Sequence, residues 1–286
     1  MIDLHVHTKI SDNSLTVFEV ILLAREKGIE YLAITDHDTT KGLKDAADIG
    51  RELGVHIIPG IEISAYDYKN QKRAHILGLY IKPGHNALER LCQPMVAARH
   101  QASREMVDRI IKAGYAISWA EVEKFAEGGT GVYKQHIMHA LVDRGYCDSI
   151  YGPLYKTLFK RDGNTGVQGI AMIPLEYIDA LDAIKAVRNA GGIAVIAHPG
   201  QLDNFDAIGE WAEAGLEGIE AYHQSHTEEE VERSLELAAK YDLTVTGGSD
   251  FHGRYGETVV EPGCKELSEA CIRELEGRIL KRRGTQ

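Results

Sequence analysis

The chain has little cysteine, and none of it in metal-finger spacing. Cys92, Cys147, Cys264 and Cys271 form no CxxC pair. That argues against a thiolate zinc site and for free thiols in a reducing compartment. No apolar run approaches the roughly 18 residues a membrane span needs. The opening MIDLHVHTKISD lacks a basic stretch followed by an apolar one, so the expectation is a cytoplasmic protein without a membrane partner. Positive charge is also in deficit: 32 Lys and Arg face 43 Asp and Glu, for a net charge of −11. A broad basic face that coats nucleic acid, and hence a stable nucleic-acid complex, is not expected. A small anion bound by local charge remains compatible. Low-complexity tracts and short repeats are missing too. What is there is an ordinary globular balance, 44% hydrophobic and 26% charged over 286 residues. Such a chain can bury a large core without disulfides.

The pattern along the chain divides into three parts. IDLHVH, EYLAIT, VHIIPGIEISAYDY and RAHILGLYI read as strands, the last two joined as a hairpin through KNQK. Thr16 and Glu19 form a potential capping box for a helix that stops at Gly28, and KGLKDAADIGRELG reads as a second helix. Residues 84–172 change to helical patterns: a long one ending at Gly114, then SWAEVEKFAEGG and KQHIMHALVDRG, then a stretch rich in Gly, Tyr and Lys. From residue 175 helix and strand alternate again: a helix through LEYIDALDAIKAVRNAGG, then the strands IAVIAH, LEGIEAY and LTVTGGSD between further helices. The expected organisation is an α/β domain of residues 1–83 and 173–286 carrying a helical insertion of residues 84–172. The sheet is mostly parallel, and periodicity alone leaves barrel and open sheet as alternatives.

Thirteen histidines are present, and many of them stand at one recurrent place. His5 and His7, Asp36 and His37, His198, Glu220 and His223, and Asp250 and His252 follow the apolar run of a strand. Glu62 and His75 lie within strands. Ligands of α/β folds bind beyond the carboxyl ends of strands, so these groups converge. Imidazoles and carboxylates buried together would cost several kcal/mol unless something pairs them. Divalent metal ions do that.

HVH at 5–7, SD at 11–12, TDHDT at 35–39, PGIEIS at 59–64, AHILG at 74–78, AHP at 197–199 and GSDFH at 248–252 resemble the motifs of the PHP (polymerase and histidinol phosphatase) family. The resemblance covers essentially the whole chain. It implies a distorted seven-stranded (β/α) barrel of PHP type and a trinuclear centre of Mn or Zn, with Fe as a further option. It implies His5, His7, Glu62 and Asp250 on the first ion. Glu62, His75 and His198 would hold the second, and Asp12, His37 and His252 the third. Asp36 would orient a ligand, and Asp38 would cap the following helix. Among relatives of this kind, an Arg of the first insertion helix and a basic-x-His motif contact substrate phosphate. Arg99 or Arg104, and Lys134 with His136, occupy comparable places. The family more often has RPH where this chain has KQH, and lysine offers a point charge in place of a fork.

The expected activity is hydrolysis of a small phosphate ester by a metal-bridging hydroxide, with Asp250 in the catalytic centre and His223 as general acid. Three divalent ions outweigh the carboxylates of Asp12, Glu62 and Asp250, which favours an anionic ligand. The substrate expected is nucleotide-like: a nucleotide, a 3′,5′-bisphosphate or a cyclic phosphate, with mono- and diester cleavage both open. The alternatives are a 5′-to-3′ exonuclease on short RNA and a histidinol-phosphate phosphatase. For the exonuclease, Tyr115, Tyr133, Tyr146, Tyr151 and Tyr155 with Lys156, Lys160 and Arg161 would form a groove.

Overall fold

Strand and helix alternate through a sheet that nearly closes on itself in the structure, a computed structural model in which residues 1–161 and 168–284 are described. β1 (Ile2–Val6), β2 (Tyr31–Ile34) and β3 (His56–Asp67) run parallel, and β4 (Lys72–Leu79) returns antiparallel to β3 as a hairpin. β5 (Ile178–Asp179) pairs with Ala65 and Tyr66 of β3. β6 (Ile193–Ile196) is antiparallel to β4, and β7 (Gly218–His223) and β8 (Thr244–Gly248) continue in parallel. The chain just past β8 then meets β1. Asp250 N–H donates to His5 O at 2.8 Å, and His7 N–H donates to Phe251 O at 3.2 Å. The result is a nearly closed barrel of seven mixed strands. Gly248 permits the last approach, since a Cβ there would lie 2.4 Å from the Cβ of His5.

The helices are α1 (Val17–Glu26), α2 (Leu43–Leu53), α3 (Asn86–Lys112), α4 (Trp119–Phe125), α5 (Lys134–Asp143), α6 (Pro153–Phe159), α7 (Ala180–Asn189), α8 (Pro199–Leu202), α9 (Ile208–Glu213), α10 (Glu228–Tyr241) and α11 (Glu269–Gly284). Thr16 and Glu19 make the reciprocal capping box that opens α1, and Thr227 and Glu230 do the same for α10. Leu4, Ala33, Ile58, Leu77 and Val195 pack together with Ile272 and Leu275 of α11. The opposite strand faces bury Val6, Ile34, Ile63, Ile76, Ile196 and Ile219 against Ile21, Leu43, Ile184 and Trp211 of the surrounding helices. Residues of α3 to α6, among them Met106, Ile110, Val122, Ile137, Leu141 and Leu158, form a separate apolar cluster. Among the described residues no helix is long and apolar enough to cross a membrane.

Two elements differ from the sequence expectation. The helix read from Leu175 starts only at Ala180, because Ile178 and Asp179 pair with β3 first. Asp179 then caps the helix, accepting from Leu181 N–H at 2.8 Å. The Gly, Tyr and Lys stretch contains α6, which begins with Pro153 after Gly152, a helix-start pair that the composition of the stretch obscured. Residues 162–167 of that stretch lie outside the described residues.

Candidate metal centre and active site

One end of the barrel gathers the polar residues, and strand irregularities aim them there. The β1–β2 register shifts between Asp3 and Val6. Ile2 and Leu4 therefore pack with the barrel interior, while His5 and His7 face the site and Val6 joins the outer core. His75 lies near the start of β4, not its end. Because β4 is antiparallel, that start falls opposite Ser64, at the same end of the barrel as the others. Asp12 comes from the loop after β1. Asp36 folds that loop: its carboxylate accepts from Thr8 N, Thr8 Oγ1, Ser11 N and Ser11 Oγ at 2.6–3.1 Å. His198 and Asp250 sit in the left-handed backbone region, at φ 27° and 51°, which the barrel end over-determines.

Nine side chains converge into three overlapping groups, within each of which the donor atoms lie within 4.8 Å of one another. One is His5, His7, Glu62 and Asp250. Another is Glu62, His75 and His198. The third is Asp12, His37 and His252, joined by His7. Glu62 ties the groups together: Oε1 is 2.7 Å from His75 and 3.1 Å from His198, and Oε2 is 3.2 Å from His7 and 3.1 Å from His37. His7 presents Nε2 to Glu62 and Asp250 and turns Nδ1 toward Ser11 and Asp12. Glu220 lies behind His5, at 3.2 Å from Nδ1, and also accepts from His198 N–H at 2.9 Å. A carboxylate that holds one ring nitrogen while the other faces the site is the usual support for a metal-binding histidine.

The donor set fits divalent ions. Six imidazoles and three carboxylates supply only nitrogen and oxygen ligands. Asp12 Oδ1, Asp250 Oδ1, His37 Nδ1 and His198 Nδ1 are buried without a hydrogen-bond partner among the described residues, a costly state that a cation relieves. Burial opposes ionisation of all three carboxyls. The imidazoles nevertheless hold them below the ordinary range: His75 and His37 for Glu62, His5 and His252 for Asp250, His252 and His37 for Asp12. Burial also opposes protonation of His7, but Asp250 and Glu62 raise it to about 10. His37 is pushed down by burial to about 4, so its ring is neutral at physiological pH. Protons thus occupy part of this cage, and an ion held there would be lost more readily in acid.

Beside the nine residues the surface opens into two lobes, of about 380 and 280 Å³, which share Asp12, His37, Arg73, His75, Gln135, Tyr155 and Glu257. The larger lobe carries Arg73, Arg99, Lys134 and Arg161 among Tyr133, Tyr177 and Phe159. Arg99 is fixed there. Its guanidinium forms an ion pair with Asp38 Oδ2 at 2.8 Å and donates to the Ser64 hydroxyl at 2.8 Å and to the Tyr133 hydroxyl at 3.2 Å. Asp38 consequently does not cap α2: the N-cap is Gly42, without a side-chain bond, and Asp38 is buried against Arg99 and Ser64 N–H. Arg104 is not brought to the lobes. It is exposed on α3 and stacks on Trp119, because five residues of helix turn it away from Arg99. Lys134 lies over Phe159, and no carboxylate pairs with it or with Arg73 among the described residues. Burial, then Arg161, Arg73 and Arg99, lower Lys134 to about 8.

His136 is fully buried and lines neither lobe. Its Nδ1 accepts from Tyr133 N–H at 3.0 Å, which leaves the proton on Nε2, and burial keeps the ring neutral, at about 4. His223 lines the smaller lobe. Ser225 N–H and its hydroxyl bond Nδ1 at 3.2 and 2.7 Å, so the neutral ring carries its proton on Nε2. Among the described residues that Nε2 has no hydrogen-bond partner, and it lies 3.5 Å from Asp250 Oδ2. Of the aromatic series expected to form a groove, Tyr133, Tyr151 and Tyr155 line the lobes, whereas Tyr115 and Tyr146 pack on each other.

Arg73, Tyr177 and Gln135 were not singled out from the sequence. Arg73 had a signal: it stands two residues before His75 in one strand and so shares its face. Gln135 had none, because its partner Asp12 is 123 residues away in sequence.

The sequence matches the PHP domain family over residues 3–247. A phosphoribosyl 1,2-cyclic phosphate 1,2-diphosphodiesterase of Eggerthella lenta is 43% identical over 254 residues, 89% of this chain and 95% of that protein. A 3′,5′-nucleoside bisphosphate phosphatase of Chromobacterium violaceum is 31% identical and covers 98% of both chains. A 5′-3′ exoribonuclease of Haemophilus influenzae is 30% identical over 87% of this chain and 89% of its own. Among solved structures, a Bifidobacterium adolescentis protein named for metal-dependent phosphoesterase activity superposes with a TM-score of 0.84 at 30% identity, covering 97% of this chain and 96% of that one.

Proposed function

Since the chain belongs to the PHP domain family and gathers nine nitrogen and oxygen donors at one end of its barrel, we propose that it is a metal-dependent phosphoesterase for a small sugar phosphate or nucleotide that bears a second phosphate. The first substrate to consider is a cyclic 1,2-phosphate of phosphorylated ribose, opened to a monoester and then hydrolysed to inorganic phosphate. The observation that carries this reading is the cationic lobe adjoining the nine donor residues.

His5, His7, Glu62 and Asp250 would hold one ion, Glu62, His75 and His198 a second, and Asp12, His37 and His252 a third, Mn or Zn. Such ions acidify water and neutralise phosphoryl oxygens. The chain's own groups do the rest. Arg73, Arg99, Lys134 and Arg161 bind the remote phosphate, Arg99 in the orientation that Asp38 imposes. Glu220 keeps His5 in one tautomer. His223 would steady the leaving oxygen with a hydrogen bond from its Nε2–H, with Ser225 holding Nδ1. Residues 84–172 act as a cap that supplies most of the remote lobe.

The test compares esters with and without the second phosphate. KM should be roughly tenfold to a hundredfold lower for the doubly phosphorylated ester, the worth of one or two charge-assisted hydrogen bonds. Equal KM values would remove the cationic lobe from the account. Arg161→Ala should raise KM for that ester by a similar factor and leave kcat within about threefold, because Arg161 lines the larger lobe and not the one that holds His223 and Asp250.

Lys134 makes the same binding pH-dependent. Its ammonium faces Arg73, Arg99 and Arg161, with Glu257 at the lobe's shared edge. It is charged below pH 8 and loses its charge as pH rises through about 8, so kcat/KM should fall on that limb. Lys134→Arg, which stays protonated, should flatten the limb; a limb that persists unchanged assigns it to another group.

A further inference from the structure

We infer that Gln135, on the insertion helix α5, is a positioning residue for the Asp12 group and that the insertion thereby sets how tightly that group holds its ion. The inference rests on the metal-ligand reading of Asp12, His37 and His252.

Three observations converge on it. Gln135 Nε2 donates to Asp12 Oδ2 at 3.1 Å. A carboxylate only accepts, so the amide orientation is determined by this contact. Asp12 Oδ1, the oxygen nearest His252 at 3.3 Å and His7 at 3.6 Å, has no hydrogen-bond partner among the described residues. One oxygen is therefore pinned from the cap, and the other is left turned toward the imidazoles. Finally, the loop that carries Asp12 is itself braced by the insertion: Thr130 donates to Ile10 O through both N–H at 2.9 Å and Oγ1 at 3.0 Å. Gly129 lies so close that a Cβ would come within 2.7 Å of Lys9 O.

The chemistry favours an amide at this place. A neutral N–H fixes a carboxylate without adding positive charge beside a cation. A lysine or arginine would give a stronger hydrogen bond to Asp12 but would repel the ion that the carboxylate serves. A side chain without a donor at this position would leave Asp12 Oδ2 without this contact, so Gln135 ties the insertion helix to the donor cage.

The experiment measures bound Mn per chain after loading and desalting, together with the dissociation constant of the weakest ion by titration, for the wild-type protein, Gln135→Leu and Asp12→Asn. Melting curves check that each variant folds. Gln135→Leu should weaken the weakest ion by roughly tenfold to a hundredfold, as removal of a group supporting a metal ligand does. Asp12→Asn should lose it. If Asp12→Asn loses an ion while Gln135→Leu binds like wild type, the inference about Gln135 is wrong and the ligand reading stands. If Asp12→Asn also retains every ion, the ligand reading itself fails. Gln135→Lys sharpens the point: it keeps a donor but should not restore affinity, and full affinity in that variant would overturn the argument for a neutral group.

Discussion

Glu62→Gln should lower kcat/KM by roughly a thousandfold or more, the equivalent of several kcal/mol of transition-state stabilisation. Glu62 is the one carboxylate common to two of the three donor groups, and its oxygens lie within 3.5 Å of His5, His7, His37, His75 and His198. The amide is isosteric but neutral, and it presents a nitrogen where one of the two oxygens stood. Both groups lose charge and a donor atom at once. Metal content should fall in parallel with activity. The protein should still fold, because the apolar clusters around the barrel do not depend on Glu62. Steady-state kinetics with metal analysis of the same samples decides the matter: a variant that keeps activity within tenfold contradicts the bridging role.

His223→Ala should reduce kcat by about a hundredfold to a thousandfold, the range for loss of a hydrogen-bond donor to a developing oxyanion, with a much smaller change in KM. The leaving-group dependence separates this role from a structural one. An alkyl alkoxide leans on a hydrogen-bond donor in the transition state, whereas a nitrophenolate hardly does. The deficit should therefore be large on sugar and nucleotide esters and small on p-nitrophenyl phosphate. A deficit of equal size on both would mean that His223 supports the site by packing or by holding Asp250, 3.5 Å away. Ser225→Ala provides an independent arm: it removes the hydroxyl on Nδ1 but leaves the backbone N–H, so the tautomer survives and the loss should be mild.

Most of the donor residues were legible because the fold writes them into short local motifs. His5 with His7 and Asp250 with His252 stand two apart at strand ends, and each strand end delivers its pair to one place whatever lies between. The helix caps were readable for the same reason, since Thr16 and Glu19 are three residues apart. Contacts made across the chain were not. Asp38 has the composition of a helix cap, but its partner Arg99 arrives from the insertion 61 positions later in the numbering, and the buried ion pair wins over the local bond. Arg104 fits an insertion-helix arginine as well as Arg99 does, and only the helical phase relative to the barrel separates them. The antiparallel β4 was legible as a hairpin. Its consequence, that His75 and Arg73 reach the site from the start of a strand, required the register. The cationic lobe was the least visible part, because its four basic residues come from β4, α3, α5 and the segment after α6.

Phosphorus NMR on the Mn-loaded protein with a 5-phosphorylated ribose 1,2-cyclic phosphate tests the whole account most directly. The cyclic resonance should give way to inorganic phosphate, the 5-phosphate should remain, and a chelator should stop the reaction. A metal-loaded protein that leaves the cyclic phosphate, the 3′,5′-nucleoside bisphosphates and the simple monoesters all intact would contradict it.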